Sequence, residues 1–521
     1  MTALHQHLPV VPVVLPLVTA ALLLLIDEQR RTLKGSISLA SAAILLGTAT
    51  MLVLRIDASP MLVYALGDWP APFGIVLVVD RLAALMVLLA AVLGFAVVLF
   101  SLGRWDRAGP HFHSLVQVLL MGVNGSFLTG DLFNLFVFFE VFLAASYGLA
   151  LHGSGSARVH ASLHYIVINL IASLLFLIGA ALLYGVTGTL NFADLAARIS
   201  VLPAADRGLL EAGAAILGIA FVVKAGMWPL CFWLPRTYGA ASAPAAAIFA
   251  ILTKVGVYAV LRTSLLFFGE ADGGSASFGR EWLLAGGALT LAFGVIGVFG
   301  AQDLTRLAGY SLLASAGTLL AAVGSGQPAV SAAALYYLVA STLGVSVFFL
   351  LIELVDRGRP FGADVLAITA EMLGGFEEEE EEVVGVAIPA LWALLGISFI
   401  CCALLLAGLP PLPGFLAKVA LLDALLEPAQ ARPFAWIMLA LLMFSGLATV
   451  VAASRTGIRI FWIPEHQNPP PVRVVELASI VLLLAVTAGL TVQAGSVMLY
   501  LNEAALVLHT PHLYVDEVLN R

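Results

Sequence analysis

Fourteen apolar stretches, most of them about 20 residues long, follow one another along the chain. One α-helix needs about 20 apolar residues to cross the hydrocarbon core of a bilayer, and lipid offers no partner for unbonded backbone groups. Charged residues make up only 11% of the chain, against about 25% in soluble domains. The sequence therefore predicts an all-α polytopic membrane protein.

The edges of the predicted spans are soft. The spans cover residues 9–26, 35–54, 79–101, 112–130, 131–152, 163–185, 209–235, 243–268, 282–300, 304–324, 329–353, 388–427, 433–454 and 474–500. The twelfth span is long enough for two helices, but we interpret it as one broken helix, because splitting it would weaken the charge bias described next. A run of six glutamates, residues 377–382, precedes it and is typical of a solvated loop.

The Lys and Arg residues of the connecting loops predict the orientation. Loops after odd-numbered spans carry thirteen of these residues, whereas the opposite side carries eight. Short loops rich in Lys and Arg stay in the cytoplasm. We therefore expect a multi-pass protein with both termini on the outer side of the membrane.

Four ionisable residues lie inside predicted spans. Lys224, Lys254 and Lys418 are three of the four lysines of the chain, and Glu140 interrupts the sequence LFVFFEVFLAA. The fourth lysine, Lys34, is expected in a loop. A charge at the centre of a membrane helix costs about 2.5–3.5 kcal/mol on insertion-based scales. Such residues are tolerated where they face one another or a hydrated protein interior, which indicates an ion or proton pathway.

A buried ammonium group releases its proton more readily than a hydrated one, and a nearby carboxylate counteracts this effect. A lysine and a glutamate that couple and uncouple therefore form a proton switch. The competing interpretation is snorkelling, in which the lysine stem carries its charge to the interface; it is strongest for Lys418. Seven polar residues are weaker candidates for lining a wet path, although packing or backbone bonding also explains each of them. They are Asn124, Ser126, Thr129, Asn169, Ser173, Tyr336 and Tyr337.

Prolines interrupt two spans close to a lysine. In FVVKAGMWPLCFWLP, Pro229 follows Lys224, and in LLLAGLPPLPGFLAKVALL three prolines precede Lys418. Proline removes a helix hydrogen bond and clashes with the preceding turn. Matching broken helices in two halves, each beside an ionisable residue, are typical of repeated transporter folds. Two ordinary proline kinks are the alternative.

The sequence shows no signature of a redox or nucleotide centre. Cys231, Cys401 and Cys402 have no metal-ligand spacing, and no glycine-rich loop joins a strand to a helix. We therefore expect no cofactor, no metal and no enzyme active site. The energy source would be an ion gradient or another protein of the same complex, and no basic patch suggests nucleic acid.

Four motifs resemble the proton-pumping, antiporter-like subunits that respiratory complex I shares with Mrp-type cation/proton antiporters. They are DLFNLFVFFEVFLAASYGL (131–149), KAGMWPLCFWLPRTYGAASAPAAAIFAILTKVGVYAVLR (224–262), QDLTRLAGYSLLASAGTLLAAVG (302–324) and AGLPPLPGFLAKVALL (407–422). The similarity covers roughly residues 75–455. Within the family it is greatest to the D-type subunits of Mrp antiporters, which the stretch TGTLNFADLA (187–196) also resembles.

The resemblance implies fourteen helices with two inverted five-helix repeats, helices four to eight and nine to thirteen. The corresponding divisions are residues 1–110 for the first three helices, 111–268 and 282–454 for the repeats, and 474–521 for the last helix and tail. It also implies an ion pair between Glu140 and Lys224, a central relay at Lys254 and a terminal proton site at Lys418.

The function implied is that of a proton-conducting subunit in a multisubunit Na⁺/H⁺ antiporter of the bacterial cell membrane, with other Mrp subunits as partners. Two alternatives remain at this point. The chain could be the M-type or N-type pump subunit of NADH:quinone oxidoreductase, although Lys418 stands where the M type usually has glutamate. It could also be a scaffold that conducts nothing itself.

Overall fold

The structure is a computed structural model that describes residues 7–58, 60–269, 274–358, 390–427, 433–461 and 470–520. The glutamate run at 377–382 lies outside these residues. The helices are α1 Val11–Leu25, α2 Arg31–Ala58, α3 Arg81–Ser101, α4 Phe112–Leu128, α5 Leu132–Leu151, α6 Ser156–Thr187, α7 Phe192–Ser200, α8 Ala204–Ala225, α9 Trp233–Ala240, α10 Ala243–Phe268, α11 Arg280–Gly300, α12 Leu304–Ser325, α13 Pro328–Asp356, α14 Ala390–Ala407, α15 Pro413–Leu426, α16 Pro433–Phe461, α17 Val474–Val492, α18 Ala494–Leu508 and α19 Pro511–Leu519. Strands β1 (Leu62–Ala65) and β2 (Val76–Val79) form an antiparallel hairpin.

Thirteen helical segments of the described chain are long and apolar enough to cross a membrane. The shorter apolar helix α4 coincides with the fourth predicted span, so every predicted span coincides with a helix in the structure. The prediction of an all-α polytopic fold is confirmed.

Both described ends of the chain lie on one face of the bundle. His7 shares a 2.9 Å hydrogen bond with Tyr64 of the hairpin. The Tyr500 hydroxyl donates to the carbonyl oxygen of Arg81, at the start of α3, over 3.0 Å. We call this side the terminal face and the other side the opposite face.

Helix α10 forms the core of the molecule. A stretch of 18 of its residues is wholly buried, and α12 and α13 are nearly as enclosed. A Cβ atom at Gly256 would lie 2.6 Å from the backbone nitrogen of Ala225, so only glycine allows α10 to lie this close to the end of α8. Since no side of α10 is free for lipid, its polar residues face protein.

Acidic and amide side chains fix where several helices begin. Asp80, Asp131, Asn191 and Asp303 accept hydrogen bonds from backbone amides in the first turns of α3, α5, α7 and α12. These bonds satisfy amides that have no partner within the helix. They hold the helix starts at defined depths in the bundle.

The two broken helices predicted from the prolines are present, and they share one sequence pattern. Helix α8 ends before Gly226 and α14 ends before Gly408, both in the left-handed backbone region with φ of +78° and +73°. Each glycine begins a Gly-x-x-Pro-Leu sequence that leads into the second half-helix.

The two broken helices run in opposite directions. The pair α8–α9 ends at the opposite face, where the side chain of Arg158, at the start of α6, donates to the carbonyl oxygen of Ala240. The pair α14–α15 begins at that face, where Trp392 packs against Gly358 at the end of α13. This reversal is what an inverted repeat requires.

Candidate functional site

The first half of the site joins α5, α6 and α8 through one hydroxyl group. Lys224, the last residue but one of α8, donates to the Ser173 oxygen over 3.4 Å. The Ser173 hydroxyl in turn donates to Glu140 Oε1. The ion pair implied by the family resemblance is therefore bridged by a serine rather than made by direct contact.

Two neighbours of the buried Lys224 side chain attract its positive charge. Its side chain is buried, with a 5% exposed fraction, and its Nζ atom lies 5.1 Å from the centre of the Phe139 ring. The face of an aromatic ring attracts a cation. The carboxylate of Glu140 and this ring approach the ammonium from the same helix, α5.

The second ammonium, Lys254, lies in the fully enclosed helix α10. Its Nζ donates to the Ser315 hydroxyl of α12 over 2.8 Å, and Ser315 donates to Ser341 of α13 over 2.9 Å. The Tyr337 hydroxyl lies beside Ser315. Lys254 is thus held by a chain of neutral hydroxyl groups that can both donate and accept hydrogen bonds.

The third ammonium, Lys418, lies one turn into α15 and points back to the break. Its Nζ donates to the carbonyl oxygen of Ala407, the last residue of α14, over 2.8 Å. The last carbonyls of a helix have no partner within the helix and form the negative end of its dipole. The break itself therefore supplies the acceptor for this lysine.

None of the three lysines reaches an interface. Their exposed fractions are 5% for Lys224, 0% for Lys254 and 8% for Lys418. The snorkelling interpretation is therefore wrong, including for Lys418, where it was strongest. Each ammonium instead finds an oxygen acceptor inside the protein, which lowers the cost of burying it.

Most of the weaker polar candidates bond to backbone instead. Asn124 donates to the Pro12 carbonyl, Asn169 to the Tyr165 carbonyl and Tyr336 to the Leu490 carbonyl. Only Ser173 and Tyr337 join the lysine sites. Ser315 and Ser341 were missed, because nothing in the sequence distinguishes a hydroxyl that meets a lysine from one that bonds its own helix.

Two basic residues expected in loops are in fact buried in helices. Lys34 lies in the first turn of α2 and donates to Glu28 over 2.5 Å, and Glu28 also contacts His111 at 2.9 Å. Although burial alone would raise it, Lys34 and His111 hold the pKa of Glu28 below its ordinary value. Arg262 lies within α10 and pairs with Asp80. Each side's count of basic loop residues therefore loses one member, Lys34 from the thirteen and Arg262 from the eight.

A cavity of about 890 Å³ opens between α6, α9, α11 and α12 at the opposite face. Its lining includes His160, His164 and Arg236.

No group of three His, Cys, Asp or Glu residues in the described ranges could hold a metal ion. Chemically, the site offers groups that bind and release protons in an enclosed, oxygen-lined interior.

Comparison with known proteins gives concordant matches. The family model described as NADH:quinone oxidoreductase/Mrp antiporter, transmembrane, matches residues 129–449. The chain is 54% identical to the probable D subunit of a K(+)/H(+) antiporter from Rhizobium meliloti, covering 100% of this chain and 99% of that protein. It is 34% identical to the D subunit of the Na(+)/H(+) antiporter from Bacillus subtilis, covering 98% and 99%. A chain of the Mrp complex from Dietzia sp. DQ12-45-1b superposes with a TM-score of 0.83 at 26% identity, covering 100% of both chains.

Proposed function

Because the chain belongs to the NADH:quinone oxidoreductase/Mrp antiporter transmembrane family, we propose that it is the D-type, proton-conducting subunit of a multisubunit monovalent cation/proton antiporter. Relatives named as D subunits of such antiporters match it along nearly their whole length. The observation that carries the proposal is the set of three enclosed ammonium groups, two of which flank breaks in membrane helices.

In this proposal Glu140 controls the charge of the first half. While its carboxylate is ionised, the Ser173 bridge favours the protonated form of Lys224. When the carboxylate takes up a proton, Lys224 loses that support and releases its own proton. Lys254 is the central relay and Lys418 the terminal site, and water between the helices carries the proton over the gaps. The His160–His164 cavity is the uptake side.

The cation exchanged for protons is a monovalent alkali ion. The sequence favours Na⁺ through its family resemblance, whereas the 54% identical relative is named for K⁺ and the 34% identical one for Na⁺. The assembled complex, reconstituted in vesicles with a pH-sensitive dye, is to be challenged with Na⁺ and K⁺ gradients in parallel. The ion that drives the larger proton flux is the substrate.

The decisive variant replaces Lys224, Lys254 and Lys418 together by alanine. We expect exchange to vanish although the complex still assembles. Full exchange by the triple variant, together with loss of exchange on deleting the chain, would instead establish a scaffold. Copurification separates the remaining alternative: flavin and iron–sulfur subunits would identify a respiratory pump, whereas small hydrophobic subunits identify an antiporter.

We further propose that residues 111–268 and 282–454 are the two inverted repeats, flanked by 1–110 and 474–521. The reversed directions of the two broken helices support this division. The chain is a multi-pass membrane protein, and we propose that it lies in the bacterial inner membrane with the terminal face outside. Labelling of single cysteines placed at His7 and at Arg107 by an impermeant reagent tests this: only the former should react in intact cells.

A further inference from the structure

A buried ion pair outside the proposed proton line joins α10 to the start of α3. The guanidinium of Arg262 contacts both carboxylate oxygens of Asp80, at 2.5 Å and 2.9 Å. The two side chains are 7% and 2% exposed. Asp80 also accepts a 2.8 Å hydrogen bond from the amide of Ala83, so the same carboxylate caps α3. Neither residue has a role in the proton route proposed above.

The ion pair lies in line with the central lysine. Lys254, Tyr258 and Arg262 follow one another at four-residue intervals, which places them on one face of α10. Tyr258 lies between the two cations. Its hydroxyl accepts from Arg262 over 3.2 Å and donates to the carbonyl oxygen of Phe127 over 2.6 Å. We call these three residues the α10 column; it runs from mid-helix towards the terminal face.

Arginine at this position cannot act as a proton relay. A guanidinium group stays protonated in proteins, so it neither accepts nor releases a proton at any relevant pH. It is a fixed positive charge. Within the ion pair, the Arg262 guanidinium rather than the Asp80 carboxylate bonds to Tyr258. The positive end of the pair therefore faces the rest of the column. Fixed positive charges at narrow points exclude protons and cations from membrane pores.

Stability alone does not explain the pair. Replacing a buried ion pair by apolar residues of similar volume is often neutral or stabilising, so its presence is weak support for a structural role. The neighbouring positions of α10 are almost all apolar and well packed. A charge pair placed at one end of a proton-carrying column has a more specific use.

We propose that the Arg262–Asp80 pair is an electrostatic barrier that closes the terminal-face end of the α10 column, so that protons at Lys254 pass to Lys418 instead of leaking across. This inference rests on the proposed route through Lys254. Arg81, the residue after Asp80, forms a second ion pair with Glu503 at 2.5 Å, and the Glu503 side chain is exposed.

The expected size of the effect follows from Coulomb's law. Because the Asp80 carboxylate lies within hydrogen-bond distance of the guanidinium, the pair acts on a proton at Lys254 as a dipole rather than as a single charge. Its effect is therefore smaller than that of an isolated charge about 12 Å away, the rise of eight helical residues. Removing the pair should raise the passive proton leak about two-fold, a change that dye-loaded vesicles can resolve.

The experiment compares two variants of the assembled complex in vesicles without a cation gradient. The double variant Asp80→Asn, Arg262→Gln keeps hydrogen-bonding groups of similar size but removes both charges. Arg262→Lys keeps the positive charge and loses the two-point contact. We expect the neutral pair to raise passive proton conductance about two-fold and the lysine variant to stay close to the unmodified complex. Equal leaks from both variants, or no leak from an assembled neutral pair, would overturn the barrier.

Two further variants separate this inference from the proposed function. Adding Lys254→Ala to the neutral pair should abolish the new leak; a persisting leak means that protons pass elsewhere and refutes the column. The matched control is the buried pair between Arg357 and Glu476 at 2.9 Å, which lies at the opposite face, away from α10. Its neutral version, Arg357→Gln with Glu476→Gln, should leave the leak unchanged. A leak that survives Lys254→Ala refutes this inference alone, whereas the proposed function fails only if cation-driven exchange persists without Lys224, Lys254 and Lys418.

Discussion

At the first break Lys224 precedes the gap and reaches a carboxylate through a bridging hydroxyl, whereas at the second break Lys418 follows the gap and binds the carbonyl at its edge. Both gaps have the same Ala-Gly-x-x-Pro-Leu sequence, and both glycines adopt the left-handed conformation. The chemistry beside the break therefore differs although the sequence of the break is the same in both halves.

In the proposed proton route, this difference gives the two halves unlike tasks. A carboxylate can change its charge, so the first half can be switched. A helix-end carbonyl has a fixed partial charge, so the second half holds its lysine in a constant field. Ten residues beyond each glycine lies a cation, Arg236 in the first half and Lys418 in the second, but Arg236 is exposed. Only in the second half is the cation at this position buried inside the protein.

The largest effect is expected in the first half, where the carboxylate of Glu140 can change its charge. Lys224→Ala removes the proton-binding group next to Glu140, and we expect cation-driven proton exchange to fall about 100-fold, the typical loss when a proton-transfer group is deleted. Exchange in vesicles, normalised to assembled complex, measures it. Lys34→Ala removes another buried lysine at the opposite face and should leave exchange within about two-fold, since the partly exposed Glu28 keeps its contact with His111. Undiminished exchange by Lys224→Ala would mean that the two halves do not differ as described.

The second test concerns the carboxylate itself. Glu140→Gln keeps the contact with Ser173 but fixes the charge at zero, so we expect about a ten-fold loss of exchange, because Lys224 loses the charge that supports its protonated form. Glu140→Asp retains a charge on a shorter arm and should recover part of the rate. Equal rates for the glutamine and aspartate variants would show that charge at this position is irrelevant.

The third test compares the two glycines. Replacing Gly408 or Gly226 by alanine should lower the free energy of unfolding by about 1 kcal/mol or more, because each glycine has a left-handed backbone conformation. At Gly408 the new methyl group would also lie 2.6 Å from Cδ of Lys418, whereas at Gly226 it meets Leu234. Both variants should melt at lower temperature, and only Gly408→Ala should also slow exchange several-fold through displacement of the lysine. Thermal unfolding and vesicle exchange measure the two effects.

The smallest effect is expected at the bridge. Ser173→Ala removes the hydroxyl that links Lys224 to Glu140, and we expect about a three- to ten-fold loss, the value of one net hydrogen bond. Water can occupy part of the vacated space, which limits the loss. Ser126→Ala is the control, because its hydroxyl bonds only its own helix, to the Gly122 carbonyl. Similar losses at both serines would mean that the bridge has no special role.

Much of the fold could be predicted because lipid imposes strong rules on composition. Apolar length gave the spans, proline gave the two breaks, and the cost of burying charge singled out Lys224, Lys254, Lys418 and Glu140. These are local properties, readable from neighbours in the chain. The expected roles of these four residues in proton transfer stay predictions.

The contacts that complete the sites could not be predicted, because they depend on which helices pack together. Ser315 and Ser341 come from helices distant in sequence and look like ordinary membrane serines. Arg262 lies inside the predicted span 243–268 and is counted only with the basic residues of the outer side, because its position in the span does not reveal a partner. Its partner Asp80 lies 182 residues earlier, and no local pattern links the two.

The complete enclosure of α10 has a consequence for biosynthesis. The ribosome makes this helix before α12 and α13, which later shield it. Lys254 therefore has no serine partner until α12 has been made. Asp80 has already been made by then and is available to Arg262 at once. The pair can therefore anchor the newborn α10 to α3 before the rest of the bundle closes around it.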